Sequence, residues 1–190
     1  MSLLSKIKNF YSISAAIPQS EDVGTPKGDK RYRRLAFESF AAATLGYSLY
    51  YVCRTSLNVM KKPIIDSGFL DAAELGVISS ALLFAYAIGK AVNGFVCDYC
   101  NIKRFMATGL AVSLMVNLAM GLLGFVDSAV PTAAIFVIFV VLWAINGWSQ
   151  SMGSPPAIIS LSRWFPLSRR GTFYGIFSAS HNLGEFFSFL

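Results

Sequence analysis

The sequence predicts an all-α membrane protein with about five transmembrane helices. Of its 190 residues, 55% are hydrophobic and only 14% are charged, and the mean hydropathy is +0.56. Soluble domains carry about 25% charged residues, so this composition is unusual for one. The charged residues also collect in short clusters, and the long runs between them carry almost no charge, a pattern typical of loops and membrane spans.

Each of the five predicted spans is long enough to cross a bilayer. A helix rises about 1.5 Å per residue, so about 20 apolar residues cross a hydrocarbon core about 30 Å thick. The predicted spans are residues 39–60, 73–97, 105–126, 132–153 (with an extension to about residue 162 left open) and 172–190. In the fourth span, Gly147, Gly153, Pro155 and Pro156 predict close packing and then a bend near its end.

Lysine and arginine positions predict the orientation of these spans. Residues 1–34 hold seven of them, the turns after spans 2 and 4 hold two and three, and the opposite side holds only Lys61 and Lys62. The positive-inside rule therefore predicts a multi-pass protein of the cytoplasmic (inner) membrane with its N-terminus in the cytoplasm. Residues 1–34 are the predicted cytoplasmic segment, and residues 35–190 the membrane domain. Topology accounts for the net charge of +6, so no nucleic-acid partner is expected.

The cytoplasmic segment itself shows two patterns. Its few apolar residues fall at helical spacing with two lysines between them, which predicts a short amphipathic helix on the inner membrane surface: Leu3, Leu4, Ile7, Phe10 and Tyr11 around Lys6 and Lys8. The segment lacks the continuous apolar core of a cleavable signal peptide. Residues 18–30 are predicted to form a flexible linker.

Three basic side chains are predicted to lie at one depth near the bilayer centre. Arg54 lies about 10 Å from the outer boundary, and Lys90 about 12 Å from the inner one, measured along their helices. His181 lies about 15 Å into span 5. Ionisable side chains at membrane depth are costly, and they are tolerated mainly where they face a bundle interior or a watery cavity.

No acidic residue of spans 1 to 4 lies at that depth, so the missing counter-charge is predicted to be an anionic ligand. Guanidinium presents a planar fork of donors to phosphate or carboxylate, ammonium a compact charge, and imidazole a donor that can gain a proton. The alternative is that Lys90 reaches back to the inner interface and that His181 is a packing residue.

Polar and aromatic side chains at helical spacing extend this basic set. They predict stripes facing a substrate path, or else hydrogen bonds between helices, which are common in membrane bundles. The stripes comprise Tyr47, Tyr50, Tyr51, Arg54 and Asn58 on span 1, Tyr86, Lys90, Asn93 and Gly94 on span 2, and Asn146, Ser149, Gln150 and Gly153 on span 4.

Covalent chemistry is not predicted. Cys97 and Cys100 form a C-x-x-C pair, but the pair straddles a membrane boundary and has no βαβ pattern around it. The sequence shows no metal-ligand cluster and no set of a nucleophile with its base. We therefore expect no enzyme activity, no metal and no cofactor.

Several motifs occur in a recognisable order: Tyr50-Tyr51-Val52-Cys53-Arg54 with Asn58, Tyr86-Ala87-Ile88-Gly89-Lys90, Gly94-x-x-x-Asp98, Asn101-x-x-Arg104-Phe105, Gly147-Trp148-x-Gln150-x-x-Gly153-x-Pro155, Arg170-Gly171 and His181-Asn182-x-Gly184. From about Arg31 onward the sequence resembles the organophosphate:phosphate antiporters of the major facilitator superfamily. These include glycerol-3-phosphate and hexose-6-phosphate transporters and a hexose-phosphate sensor. The Gly94-x-x-x-Asp98 loop is common to the wider superfamily, whereas the basic set is more specific.

The resemblance implies twelve spans in two pseudo-symmetric halves, with phosphate bound between them and alternating access by rocking of the halves. Arg54 would be one of two phosphate-gripping arginines, supported by Lys90 and His181. Tyr47, Tyr50, Tyr86, Asn146 and Gln150 would contact substrate. Gly94, Asp98 and Arg104 would form the conformational and topology motif. The second arginine belongs to the other half, so we expect a longer protein whose C-terminal half is this chain's partner.

Two positions depart from the family pattern. Thr55 follows Arg54 where relatives often have lysine, and Glu185 stands where many have glycine. Glu185 is one helical turn after His181, so its carboxylate is a candidate modulator of that imidazole. The predicted function is exchange of a sugar phosphate or glycerol-3-phosphate for inorganic phosphate. The alternative is a non-transporting sensor of external hexose phosphate that signals to a membrane kinase, because residues 153–155 resemble the sensor branch.

Overall fold

The structure is a computed structural model that describes residues 3–13, 26–124 and 131–190. Every regular element within these ranges is a helix, which confirms the all-α fold class. The helices are α1 (Leu3–Tyr11), α2 (Pro26–Asp66), α3 (Ala72–Asp98), α4 (Ile102–Leu123), α5 (Thr132–Gln150), α6 (Ser154–Trp164), α7 (Leu167–Ser178) and α8 (Ser180–Ser188).

Within the described residues, three helical stretches are long and apolar enough to cross a membrane. They are α3, α4 and the stretch Thr132–Trp164, which combines α5 and α6. They coincide with predicted spans 2, 3 and 4, and the extension of span 4 beyond residue 153 is present as α6. Predicted span 5 is divided near Ala179 into α7 and α8, of 12 and 9 residues, and neither alone is as long as a bilayer is thick.

Helix α2 starts earlier than the sequence predicted. It runs for 41 residues from Pro26, so residues 26–30 of the predicted flexible linker are helical instead, and residues 18–25 lie outside the described ranges. Proline is well suited to the first helical turn, and Asp29 places a negative charge near the positive end of the helix dipole. The ion pair between Arg34 and Glu38, at 2.7 Å, adds a modest i,i+4 contribution.

The turns that join the long helices are capped by side chains. Asp71 and Glu74 form a capping box at the start of α3, because each side chain accepts a hydrogen bond from the other residue's backbone N–H, at 2.9 and 2.7 Å. Asn101 caps the start of α4 by accepting from the N–H of Arg104 at 3.3 Å. These caps fix where α3 and α4 begin, and the start of α3 sets the height of Lys90 in the bundle.

Small residues allow the helices to pack closely. A Cβ added to Gly147 of α5 would collide with the backbone carbonyl of Leu82 on α3, and one added to Gly184 of α8 would collide with the backbone of Ser48 on α2. Backbone atoms cannot move aside as a flexible side chain can, so glycine is needed at both contacts. Close small-residue packing of this kind is a main source of helix association in membranes.

Two apolar clusters pack against α2, one on each side of Arg54 along the helix. One contains Leu57 and surrounds the ends of α2 and α3 that meet near residue 70, and the other contains Ala43 and Phe177 near the α6–α7 turn. Arg54 lies between them along α2. The fold therefore holds the basic side chains between two packed regions.

Candidate functional site

The structure brings Arg54, Lys90 and His181 into one series joined by tyrosine rings. The Arg54 guanidinium carbon lies 4.7 Å from the ring centroid of Tyr86 and 5.8 Å from that of Tyr51. The Lys90 ammonium lies 5.3 Å from the Tyr86 centroid and donates a hydrogen bond to its hydroxyl at 3.2 Å. The His181 ring lies 5.5 Å from the Tyr51 ring. Side chains from α2, α3 and α8 thus meet at one place.

Hydrogen bonds at both ends of α8 hold it against α2, and this places His181 beside Tyr51. The Ser48 hydroxyl donates to the carbonyl of Ser180 at 2.8 Å, and the Thr55 hydroxyl lies 2.6 Å from that of Ser188. Between these two bonds, Gly184 makes the close backbone approach described above. Thr55, the departure from the family pattern, therefore has a structural role here.

The tyrosine rings offset the repulsion between the basic groups. Because Arg54 and Lys90 both lie against Tyr86, their charged groups are at most about 10 Å apart, and their repulsion is at least about 1.7 kcal/mol at an effective dielectric constant near 20. Each contact of a cation with a ring face contributes about 0.5–2 kcal/mol. The rings can therefore hold the two cations close together without an ion pair.

No carboxylate among the residues that the structure describes forms an ion pair with this set. Across the described ranges, the ion pair recorded within 4.0 Å is that of Arg34 with Glu38, which lies more than three helical turns before Arg54. Glu185 follows His181 by one turn on α8 and is half-buried, yet no ion pair joins them. The site consequently keeps an excess of positive charge.

A small cavity is lined by Lys90 and His181 of the basic series, but not by Arg54 or Tyr86. It has a volume of about 170 Å³. Ligand pockets are typically about 300–1,000 Å³, so this one suits a small anion or the phosphoryl end of a larger molecule. Sequence reasoning identified Tyr47, Tyr51, Lys90 and His181 but missed the contributions of α6 and α7, which depend on tertiary packing. The lining residues are Tyr47, Tyr51, Lys90, Ser154, Ile158, Tyr174, Phe177, Ser178 and His181.

Three of the predicted substrate contacts do not line this cavity and are buried in the helix bundle. Tyr50 and Asn146 are completely buried, and Gln150 is 4% exposed. The Tyr50 hydroxyl donates to the carbonyl of Met106 at 2.7 Å. The Gln150 amide donates to the carbonyl of Tyr50 at 2.9 Å and to the hydroxyl of Ser113 at 2.8 Å. The alternative interpretation, hydrogen bonding between helices, describes these side chains.

Ser113 is the centre of this buried network, and sequence reasoning missed it. Its hydroxyl donates to the side-chain oxygen of Asn146, whose amide donates to the carbonyl of Cys53 at 3.4 Å. The network therefore ties α2, α4 and α5 together directly behind Arg54. A lone serine within the apolar run of α4 was the available signal, but nothing in sequence spacing identifies its partners.

The predicted conformational motif lies at the α3–α4 turn, away from the cavity. Gly94 has open space where a Cβ would stand, and Asp98 is exposed at the end of α3. The Arg104 guanidinium donates to the carbonyl of Phe10 at 2.6 Å and lies 4.9 Å from its ring centroid. Arg104 thus contacts α1.

Two other features do not form sites for an anion or a metal. A larger cavity of about 760 Å³ lies between α2, α4 and α5, but its lining is mainly apolar, includes Phe139 and Trp143, and contains no lysine, arginine or histidine. Cys53, Cys97 and Cys100 are free thiols. Within the part of the chain that the structure describes, no three His, Cys, Asp or Glu side chains are grouped so that they could hold a metal ion.

Comparison with known proteins agrees with this architecture. The family model described as Major Facilitator Superfamily matches residues 43–190. The chain is 35% identical over 175 residues to the glycerol-3-phosphate transporter of Bacillus subtilis (strain 168), which is 92% of this chain and 38% of that protein. It is also 35% identical over 176 residues to a probable hexose phosphate transport protein of Chlamydia pneumoniae, covering 92% of this chain and 36% of the relative.

A sensor is also among the relatives. The chain is 31% identical over 156 residues to the membrane sensor protein UhpC of Escherichia coli (strain K12), which is 82% of this chain and 33% of that protein. The chain spans about a third of the length of these curated relatives. No solved structure matches the chain.

Proposed function

This chain belongs to the Major Facilitator Superfamily, and from that premise we propose that it is the N-terminal part of a secondary transporter that exchanges an organophosphate for inorganic phosphate. The family and the apolar helices make it a multi-pass membrane protein rather than an enzyme. The proposed organophosphate is a sugar phosphate or glycerol-3-phosphate, because its relatives include a probable hexose phosphate transport protein and a glycerol-3-phosphate transporter. The proposed location is the inner membrane, with the N-terminus in the cytoplasm.

The observation that carries this proposal is the uncompensated basic series of Arg54, Lys90 and His181, in which Lys90 and His181 line a small cavity and Arg54 lies against Tyr51 and Tyr86. A phosphoryl group carries up to two negative charges and several acceptor oxygens, so it can satisfy all three side chains together. In this proposal Arg54 binds two phosphoryl oxygens through its forked donors. Lys90 supplies a point charge, and His181 supplies an N–H donor.

Tyrosine side chains have a separate role in the proposal. Tyr51 and Tyr86 hold the basic groups in position, and Tyr47 and Tyr51 contact the substrate at the cavity wall. Tyr50, Asn146 and Gln150 act indirectly, because their hydrogen bonds fix the packing of α2 against α4 and α5. Substrate contact is therefore assigned to the side of α2 that faces α3 and α8.

Alternating access is proposed from the family relationship. In this mechanism the substrate binds between two halves that rock against each other, and a second basic side chain from the other half completes the site. The relatives are roughly two and a half times as long as this chain, which is the support for a partner half. The chain of 190 residues by itself is predicted not to exchange phosphate.

A second candidate function is a sensor. The similarity to UhpC favours it, as does the Gly153-Ser154-Pro155 sequence at the α5–α6 junction. In this case the same basic site would bind an external hexose phosphate, and a conformational change would pass to a membrane kinase without net transport.

An exchange assay in liposomes distinguishes a transporter from a sensor. The full-length protein is reconstituted into liposomes loaded with inorganic phosphate, and uptake of labelled glycerol-3-phosphate or glucose-6-phosphate is measured with and without internal phosphate. A transporter takes up label only when phosphate is inside. Binding of the label without exchange indicates the sensor, and absence of both binding and exchange for every phosphate ester tested would refute the proposal.

A further inference from the structure

Helix α1 has an apolar side bordered by two lysines. Successive residues turn by about 100° around a helix, so its apolar residues occupy an arc of about 120°. Lys6 and Lys8 lie about 40° outside the two edges of this arc. The helix has no acidic residue. The arc consists of Leu3, Leu4, Ile7, Phe10 and Tyr11.

One end of this arc is fixed to the bundle. The backbone N–H of Asn101 donates to the carbonyl of Tyr11 at 2.9 Å, and Arg104 donates to the carbonyl of Phe10 at 2.6 Å. The Tyr11 hydroxyl donates to Thr108 at 2.8 Å. The last carbonyls of a helix have no partner within it and carry a partial negative charge. The start of α4 therefore caps the end of α1.

This attachment sets the height of α1 relative to the membrane. Asn101 and Arg104 lie at the turn between α3 and α4, and both of these helices are long and apolar enough to cross the bilayer. The end of α1 must therefore lie at the membrane surface on the side of the α3–α4 turn. The remaining apolar residues of the arc are open, with Leu3 74% and Leu4 78% exposed.

We propose that α1 is a docking surface for anionic membrane lipid, positioned by Arg104. The open leucines enter the boundary between headgroups and acyl chains, and Lys6 and Lys8 reach from the edges of the arc to negatively charged headgroups. Charge complementarity selects this occupant, because two cations and no carboxylate border the apolar surface. Arg104 then connects the lipid-bound helix to the α3–α4 turn. Binding of anionic lipid to α1 would therefore stabilise the position of that turn.

Proteolysis in lipid nanodiscs tests the proposal, since both membrane faces are open to the enzyme. The full-length protein is placed in phosphatidylcholine discs or in discs with added phosphatidylglycerol, and chymotrypsin cleavage after Leu4 is followed by mass spectrometry. Two lysines near an anionic surface predict cleavage roughly 30-fold slower with phosphatidylglycerol. Cleavage after Leu167, which is 82% exposed at the start of α7, is the internal control and should not change.

Variants separate lipid contact from packing on the protein. Lys6→Gln with Lys8→Gln should abolish the difference between the two lipids, whereas Lys27→Gln with Lys30→Gln, which removes the same charge from the exposed start of α2, should leave it intact. Equal cleavage of the unmodified protein in both discs would overturn the proposal, as would protection that persists in the Lys6→Gln and Lys8→Gln variant. Arg104→Gln should speed cleavage about tenfold in both lipids, and no change would overturn its positioning role.

Discussion

Replacing Arg54 with lysine keeps the charge of the proposed site but removes the planar fork of donors. A lysine can still form one charge-assisted hydrogen bond to a phosphoryl oxygen, so the variant loses one such bond, worth about 1.5–3 kcal/mol. This corresponds to binding that is roughly 10- to 150-fold weaker. Arg54→Gln also removes an attraction of about 4 kcal/mol between unit charges 4 Å apart at an effective dielectric constant of 20. Its binding should weaken at least about 1000-fold.

The same structure predicts that stability changes little. Arg54→Gln removes a repulsion of at least about 1.7 kcal/mol with Lys90, but it also removes two ring contacts of about 0.5–2 kcal/mol each. These effects oppose each other, so the melting temperature should stay within a few degrees. If the variant is folded but does not bind, the loss of binding is due to the missing guanidinium and not to unfolding.

Binding of labelled glycerol-3-phosphate or glucose-6-phosphate to the purified full-length protein measures the first effect, and thermal unfolding in the same detergent measures the second. Arg169→Gln, which removes an exposed arginine from the start of α7, is the matched control and should bind like the unmodified protein. If Arg54→Gln bound phosphate esters as tightly as this control, the basic series would have no role in anion recognition.

Three further predictions concern other parts of the molecule. Gly147→Ala should destabilise the protein by about 2–4 kcal/mol in thermal unfolding, because its Cβ collides with backbone of α3, whereas Gly76→Ala, which has open space, should not; equal stability would contradict the close packing. Asn146→Ala should lower stability by about 1–3 kcal/mol and leave phosphate affinity within about threefold, and selective loss of affinity would return Asn146 to the binding site. Glu185→Gln should alter the pH dependence of phosphate uptake through His181, and an unchanged profile would remove Glu185 from the mechanism.

Sequence patterns predicted spans 2 to 4 well because apolar length is a local property, whereas span 1 lies within the longer helix α2 and span 5 is divided between α7 and α8. Spans 2 to 4 appear as α3, α4 and the α5–α6 stretch. The prediction of a flexible linker was wrong for residues 26–30, which form the start of α2. Their basic and polar residues resemble a linker by composition, but a helix needs only compatible backbone preferences and packing partners. The partners lie far along the chain, where the ring of Tyr32 is 5.7 Å from that of Trp164.

For the candidate site, helical spacing identified the right helices but did not separate cavity residues from packing residues. Helical spacing grouped Tyr47, Tyr50 and Tyr51 on one stripe, but neighbouring positions on a helix can face different neighbours. The structure directs Tyr50 to Met106 on α4, while Tyr51 contacts Arg54 and His181. Which helix packs on which side is set by long-range contacts, so sequence spacing alone could not separate packing residues from cavity residues.

Because α2 is continuous from Pro26 past Arg54, a small tilt of the helix near Arg54 moves its start by a much larger distance. From Pro26 to Arg54 the helix extends about 42 Å, so a tilt of 10° about the level of Arg54 would carry its far end through about 7 Å. The Tyr32 hydroxyl, near that far end, donates to the carbonyl of Trp164 at the end of α6. A small angular change around a bound anion would therefore be amplified into a displacement of the opposite end of the helix and of the α6 terminus attached to it.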